Sequence, residues 1–156
     1  MAKGTVSSTD HQNEIWNPWA ALFLSAIFTP VFGAMLHGAD LRHIGDEEGA
    51  AAAWFWERGS MIVLGAAALL QPIAATREGW GLLLAAVDLF LLVLWAAFCG
   101  VPHARRISEA ERLSKRLVRV STSRAITVGL LGILAWYALY YIGKCAWELA
   151  GVIPEA

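Results

Sequence analysis

Asp88 is the residue whose position most strongly suggests chemistry, because it is a carboxylate inside the long apolar run WGLLLAAVDLFLLVLWAAFCGV. A carboxylate within a membrane-spanning helix costs several kcal/mol unless it finds partners, and such residues usually face the interior of a helix bundle. At about 1.5 Å per residue, Tyr137, Gln71 and Ser25 reach a similar depth on their own helices. We therefore expect an intramembrane polar layer of these four residues. It could be a hydrogen-bond network that specifies packing, a proton or ion site, or a docking site for another protein's helix.

A second group of polar residues follows the first apolar segment and contains His37, Asp40, Arg42 and His43. Two His with an Asp between them could hold a metal ion, and a His near a helix end could ligate haem. Six residues is not a same-face helical spacing, His103 is the only other His near this depth, and the chain has no CxxCH motif. We expect this group to form interfacial hydrogen bonds, without metal or cofactor.

The remaining residues give no pattern of catalysis. The sequence contains no nucleophile and base pair, Gly-rich phosphate loop or paired catalytic carboxylates, so we expect no enzyme. The net charge of −1 argues against a nucleic-acid partner. Cys99 and Cys145 have no CxxC or Cys/His spacing, and we interpret them as free, buried thiols.

The composition predicts an all-α integral membrane protein. The chain is 58% hydrophobic with eight Trp and a mean hydropathy of +0.53. We predict a polar tail, 1–16, and one domain, 17–156, with four transmembrane helices at about 18–36, 54–76, 80–101 and 125–146. Asn17 and Asp46 are expected N-caps, Pro30 a kink, and Pro102 the end of the third span.

A basic segment, 102–124, should set the orientation. It holds more than half of the Lys and Arg residues, and a loop of this kind stays in the cytoplasm. The capping-box spacing of Ser108 and Glu111 and the apolar period predict an amphipathic cytoplasmic helix at about 107–121, between the third and fourth spans. The basic residues expected at the membrane surface are Arg105, Arg106, Arg112, Lys115, Arg116 and Arg119. Counting spans from this loop places both termini in the periplasm of a bacterial inner-membrane protein.

The N-terminal third carries the pattern N-P-W…F-T-P-x-F-G-A-x-x-H-x-x-D-x-R, from Asn17 to Arg42. In this pattern the chain resembles small proteobacterial inner-membrane proteins. Some small polytopic membrane proteins of this general kind are immunity proteins that protect a bacterium against a membrane-targeting toxin delivered by type VI secretion. The resemblance implies such a role, with no site residues attached to it.

Three functional hypotheses follow. The first is a non-enzymatic inner-membrane interaction protein, most concretely an immunity protein that neutralises a pore-forming bacterial toxin. The second is a small proton-coupled transporter or channel subunit centred on Asp88. The third is an accessory or haem-binding subunit of a larger membrane complex. The expected partners are the lipid bilayer and another protein, either a toxin or a membrane-complex subunit, and a homo-oligomer is compatible with the sequence.

Overall fold

A computed structural model of the protein describes residues 14–114 and 117–154. The described part is helical apart from two strands of two residues each. In chain order the elements are β1 (Glu14–Ile15), α1 (Pro18–Phe28), α2 (Pro30–His43), α3 (Glu47–Ala74), α4 (Trp80–Trp95), a π-helix (Ala96–Gly100), α5 (Val101–Leu113), β2 (Val118–Arg119) and α6 (Thr122–Leu149). The predicted all-α fold is confirmed at this level.

The first predicted span is wrong as a single crossing helix, because α1 and α2 form an antiparallel hairpin. In a continuous helix Pro18 and His37 would lie about 28 Å apart. Instead the His37 Nε2–H donates to the Pro18 carbonyl oxygen at 3.0 Å, and the Trp16 N–H donates to Asp40 Oδ1 at 2.9 Å. The hairpin therefore begins and ends on the same face of the protein.

The reversal occurs at Thr29 and Pro30, where a kink was predicted. Pro30 has no N–H and disfavours helical geometry in the preceding residue. Thr29 responds with φ 129° and ψ 158°, a region that β-branched residues rarely occupy. Its N–H still donates to the Ser25 carbonyl at 2.9 Å. The strain at one residue thus allows two short helices to lie side by side.

The predicted N-caps are confirmed on the two helices that flank the hairpin's polar end. The Asn17 side chain accepts the Ala20 N–H at 3.2 Å, and Asp46 Oδ1 accepts the Gly49 N–H at 2.8 Å. Pro18 follows its cap as the first helical residue, where a missing N–H costs nothing. The Asp46 cap begins α3, which contains the predicted second span in its C-terminal part.

The predicted end of the third span at Pro102 is wrong. The helix continues from α4 through the π-helix into α5 and ends at Leu113, because Pro102 lies at the start of α5, where its ring is tolerated. Ser108 lies inside α5 and is not a cap. The predicted amphipathic helix at 107–121 is therefore only the last part of this long helix, followed by β2; Lys115 and Arg116 lie outside the described residues.

The two strands bring the predicted N-terminal tail to the basic segment. β1 pairs with β2 in parallel, with Glu14 opposite Val118 and Ile15 opposite Arg119. Arg124 Nη1 adds an ion pair to Glu14 Oε2 at 3.4 Å. Residues 14–15 therefore lie on the same face as residues 118–124, which contradicts the prediction that the N-terminal side and the basic loop lie on opposite faces.

Two helices are long and apolar enough to cross a membrane, the continuous helix Trp80–Leu113 and α6. Only 11% of the most apolar stretch of each is buried within the protein. Four spans are not supported: α3 is long enough but less apolar, and the hairpin does not cross.

Candidate functional site

A cavity of about 360 Å³ lies where the tip of the hairpin meets α4. Ser25, Thr29 and Pro30 line it from the hairpin, Asp88 from α4, and Trp136 from α6. Asp88 Oδ1 is buried and has no hydrogen-bond partner within the described ranges. Because α1 ends here, its last carbonyl groups lack the helical partners that interior carbonyls have. The cavity thus brings a carboxylate together with the non-helical residues between α1 and α2.

The predicted polar layer forms only in part. The structure brings Ser25 and Asp88 to the same cavity, although the Ser25 hydroxyl donates to the Ala21 carbonyl at 2.6 Å. Gln71 and Tyr137 are not among the residues that line it. The Tyr137 ring is half exposed and packs edge-on against Trp136, with ring centroids 5.4 Å apart. Alignment by depth could not show which way each side chain points.

The predicted interfacial group divides into a buried and an exposed pair. His37 and Asp40 lie one turn apart on α2 and are 0% and 1% exposed, whereas Arg42 and His43 are exposed at the surface. The buried pair forms hydrogen bonds with the Pro18 and Trp16 backbone, and their location at a membrane interface stays a prediction. Burial lowers the pKa of His37 to about 4 and raises that of Asp40 to about 7.

Two residues complete the buried cluster around His37: His103, noted from the sequence as a His at similar depth, and Trp95, which the sequence did not identify. The ring of Trp95 lies 5.8 Å from that of His37, and the ring of His103 lies 6.3 Å from it on another side. Trp95 is wholly buried and His103 nearly so. The spacing of Asp88, Trp95 and His103 along one helix could have indicated a shared face. The π-helix and the hairpin, which make that face meet His37, have no comparable signal.

Some of the basic residues predicted for the membrane surface form ion pairs with acidic residues. Arg106 pairs with Asp46 at 3.1 Å, and Arg119 makes a bidentate pair with Glu111 at 2.7 and 3.0 Å. The Gly49 N–H, followed by Arg106, holds the pKa of Asp46 below its usual value. Arg105 and Arg112 are exposed on α5. These ion pairs surround the face on which His103 lies.

The cysteines are both free, as predicted, but only one is buried. Cys99 lies in the π-helix and packs with Ala34 and Trp95, whereas Cys145 is exposed on α6. Within residues 14–114 and 117–154, no group of three or more His, Cys, Asp or Glu is arranged to hold a metal ion.

A second, apolar groove of about 320 Å³ lies between the hairpin, α3 and α6. Phe28 and Phe32 from the hairpin, Met61 from α3, and Gly129 and Trp136 from α6 contribute to its walls. Gly129 is required by close packing, since a Cβ there would overlap the Phe28 ring. The residues that line the groove provide an apolar surface and include no titratable group.

Comparison with known proteins adds no relative. No family model matches the chain, and neither a curated protein nor a solved structure matches it.

Proposed function

We propose that the protein is a membrane protein whose functional centre is the cavity between Asp88 and the hairpin tip, and that this centre takes up a cation, as in a small transporter or channel subunit. The observation that carries the proposal is that Asp88 and the non-helical break at Thr29 and Pro30 line one cavity.

The interior of a membrane restricts where non-helical backbone can lie. Non-helical backbone at membrane depth is stable only where protein buries it or where it lines a polar cavity. In transporters, the ends of broken helices coordinate ions with backbone carbonyl groups and the negative end of the helix dipole. The C-terminal end of α1 and the Asp88 carboxylate would supply two negative contributions to the same space, which favours a cation over an anion.

Membrane insertion has its own support. Only 11% of the most apolar stretch of the helix Trp80–Leu113 and of α6 is buried within the protein, which fits a lipid environment better than the core of a globular domain. In the proposed arrangement α3, the helix Trp80–Leu113 and α6 cross the membrane, and the hairpin enters and leaves on one side. The basic residues 105–124 favour the cytoplasm for that side.

An Asp88→Asn variant tests the proposal. In liposomes with an entrapped pH dye and a potassium diffusion potential, we expect the wild type to take up protons and Asp88→Asn to lose at least nine-tenths of the initial rate, because an amide cannot bind a proton at neutral pH. Glu78→Gln makes the same acid-to-amide change in the exposed turn before α4 and should retain the wild-type rate. Equal rates in wild type and Asp88→Asn would refute the proposal.

A second candidate function is the binding of another membrane protein, of which toxin immunity is the concrete case. It is favoured by the apolar groove between the hairpin, α3 and α6, which would offer an apolar surface to a helix of an inserted toxin. The type VI immunity role itself stays a prediction from the N-terminal resemblance.

Deletion of the gene, alone and together with its immediate neighbours, tests the immunity role. Loss that is lethal only while a neighbouring gene is intact would support it. Loss that is tolerated in every background, including contact with sister cells, would contradict it.

A further inference from the structure

A continuous seam of buried polar side chains connects the basic face of the protein with the Asp88 cavity. On one side, Asp88, Trp95 and His103 follow one another along the helix Trp80–Leu113. On the other side lie Ser25 and His37 of the hairpin. His103 lies about 22 Å from Asp88 along the helix axis, so the seam is longer than the hydrocarbon layer of one membrane leaflet is thick.

The contacts along the seam are close. A Cβ at Gly33 would overlap both the Ser25 hydroxyl and the Trp95 indole, so these two side chains meet across that glycine. The Trp95 ring lies 5.8 Å from the His37 ring, which lies 6.3 Å from the His103 ring. The rings from His103 to Trp95 therefore neighbour one another, the carbon edge of the Trp95 indole lies with the Ser25 hydroxyl beside Gly33, and Ser25 lines the cavity that contains Asp88.

The seam also gathers unpaired polar atoms. Of the seven buried side-chain N or O atoms without a hydrogen-bond partner in the described part of the chain, four lie on it: His37 Nδ1, Trp95 Nε1, His103 Nδ1 and Asp88 Oδ1. Buried polar groups in native proteins are almost always satisfied, in many cases by ordered water. Such a concentration on one interface indicates a path with polar occupants and not a packing interface alone.

We propose that the ion taken up at Asp88 is the proton and that it travels along this seam, with His103 and His37 as the groups that pass it between the basic face and the cavity. The inference rests on the proposed function of Asp88. It adds the identity of the ion, the side from which it comes and two residues that carry it.

The chemistry of His37 suits this role. Its Nε2–H is held by the Pro18 carbonyl, so the neutral ring presents an Nδ1 lone pair to the seam. A proton bound at Nδ1 gives an imidazolium, and its release from Nδ1 restores the neutral ring without breaking the Pro18 hydrogen bond. The proton ends on the Asp88 carboxylate, which becomes the neutral acid. Because Nδ1 both receives and releases the proton while Pro18 holds the ring, a water hydrogen-bonded to Nδ1 has to change its orientation between the two transfers.

A larger cation fits the site less well. Calcium takes six to eight oxygen ligands and magnesium six, whereas the cavity offers one carboxylate and the few carbonyl groups at the end of α1, and the Ser25 hydroxyl is already directed at Ala21. The described residues contain no three-ligand cluster. A proton needs only a single basic oxygen.

The charged groups near the outer end of the seam include three ion pairs. They are Asp46–Arg106 between α3 and α5, Glu111–Arg119 between α5 and β2, and Glu14–Arg124 between β1 and α6. Asp40 lies beside His37 on α2, where its Oδ1 accepts the Trp16 N–H. Burial holds the pKa of His37 at about 4, so the resting ring is neutral and its Nδ1 lone pair is available to accept a proton.

The test compares His37→Gln and His103→Gln with His43→Gln, which makes the same change on the exposed side of α2. Two readouts are needed: the initial rate of proton uptake in liposomes as a function of pH, and the equilibrium protonation of Asp88, followed as the infrared carboxyl band that Asp88→Asn removes. We expect both seam variants to lower the rate at least tenfold and to flatten its pH profile, while the Asp88 band still titrates. His43→Gln should match the wild type in both.

The outcomes separate the two proposals. If the seam variants transport at the wild-type rate while Asp88→Asn does not, the route is wrong and the Asp88 site stands. If Asp88→Asn is as active as the wild type, the proposed function fails as well. His103→Gln removes no hydrogen bond formed in the described structure, so it decides the question even if His37→Gln proves unstable.

Discussion

His37 and Asp40 lie one turn apart on α2 and respond to burial in opposite ways. The folded protein favours the neutral imidazole, so the pKa of His37 falls from 6.5 to about 4. It also favours the neutral carboxyl group, so the pKa of Asp40 rises from 3.8 to about 7. Between about pH 4 and 6.5, unfolding binds a proton at His37 and releases one at Asp40. Their contributions to the pH dependence of stability therefore offset each other in the wild type.

Single substitutions should separate the two opposing pH dependences of the free energy of unfolding. His37→Gln leaves the contribution of Asp40, which is protonated only in the folded state, so the free energy of unfolding should fall relative to that of the wild type by about 1.4 kcal/mol per pH unit as pH rises from 4.5 to 6.5. Asp40→Asn leaves His37, so stability should rise with pH by a similar amount over the same window. Unfolding in mixed micelles at several pH values measures both slopes. Variants that run parallel to the wild type would refute the assignment, and His43→Gln serves as the parallel control.

At this scale the sequence predicts local features and misses those that depend on distant contacts. The caps at Asn17 and Asp46 follow from short-range preferences, and both form. Asp88 is recognisable because a charge in an apolar run is rare. The meeting of His37 with His103 could not be predicted, because it requires the chain to reverse at Thr29 and residues 66 positions apart to pack together.

At the scale of elements, the hairpin packs on the helix Trp80–Leu113 through a glycine. Gly33 is buried where the Ser25 hydroxyl and the Trp95 indole would overlap any Cβ. The neighbouring Ala34 packs on Trp95 and Cys99. Glycine at position 33 thus sets the distance between the hairpin and its neighbour.

Gly33→Ala should therefore destabilise the protein by about 1 to 3 kcal/mol, the usual cost of overpacking a dense interior. Gly59→Ala is the matched control, because a Cβ there meets nothing within 4 Å and alanine favours helix in the interior of α3. Thermal unfolding in detergent should show a lower midpoint for Gly33→Ala and an equal or higher midpoint for Gly59→Ala. Equal midpoints for Gly33→Ala and the wild type would show that the hairpin packs less tightly than described.

The boundaries of elements were predictable only where a local signal acts alone. Pro30 and Pro102 look alike in the sequence, as prolines at the edge of apolar runs, but the first accompanies a reversal and the second sits within a continuous helix. The difference arises from the surroundings. His37 and Asp40 hold the backbone of Pro18 and Trp16, which closes the hairpin, whereas the π-helix before Val101 carries the chain onward.

At the scale of the whole molecule, the hairpin changes the number of crossings. Glu14 and Ser121 lie on one face, and the Arg77 to Gly79 turn lies at the other end of α3 and α4. The indole N–H of Trp147 donates to the Leu69 carbonyl at 2.8 Å, which places the end of α6 with the end of α3. The C-terminal end of α6 is thus on the face opposite β1.

Cysteine labelling in intact cells tests this arrangement. In a background without Cys99 and Cys145, Glu14→Cys and Ser121→Cys should both be protected from an impermeant maleimide, whereas Glu78→Cys should react, because the proposed orientation places its turn in the periplasm. Permeabilised cells provide the positive control for all three. Reaction of Glu14→Cys together with Glu78→Cys would place both residues on one face of the membrane. That result would support the four-span topology and contradict the hairpin.

The conformation of Thr29 bears on the order of assembly. A threonine at φ 129° costs of the order of 1 to 3 kcal/mol, so a nascent segment from Pro18 to His43 has no local reason to turn back on itself. Packing of Ala125 and Trp95 against the two helices of the hairpin offsets this cost. We expect biogenesis to proceed in two stages, in which the crossing helices are inserted first and the hairpin closes onto them afterwards.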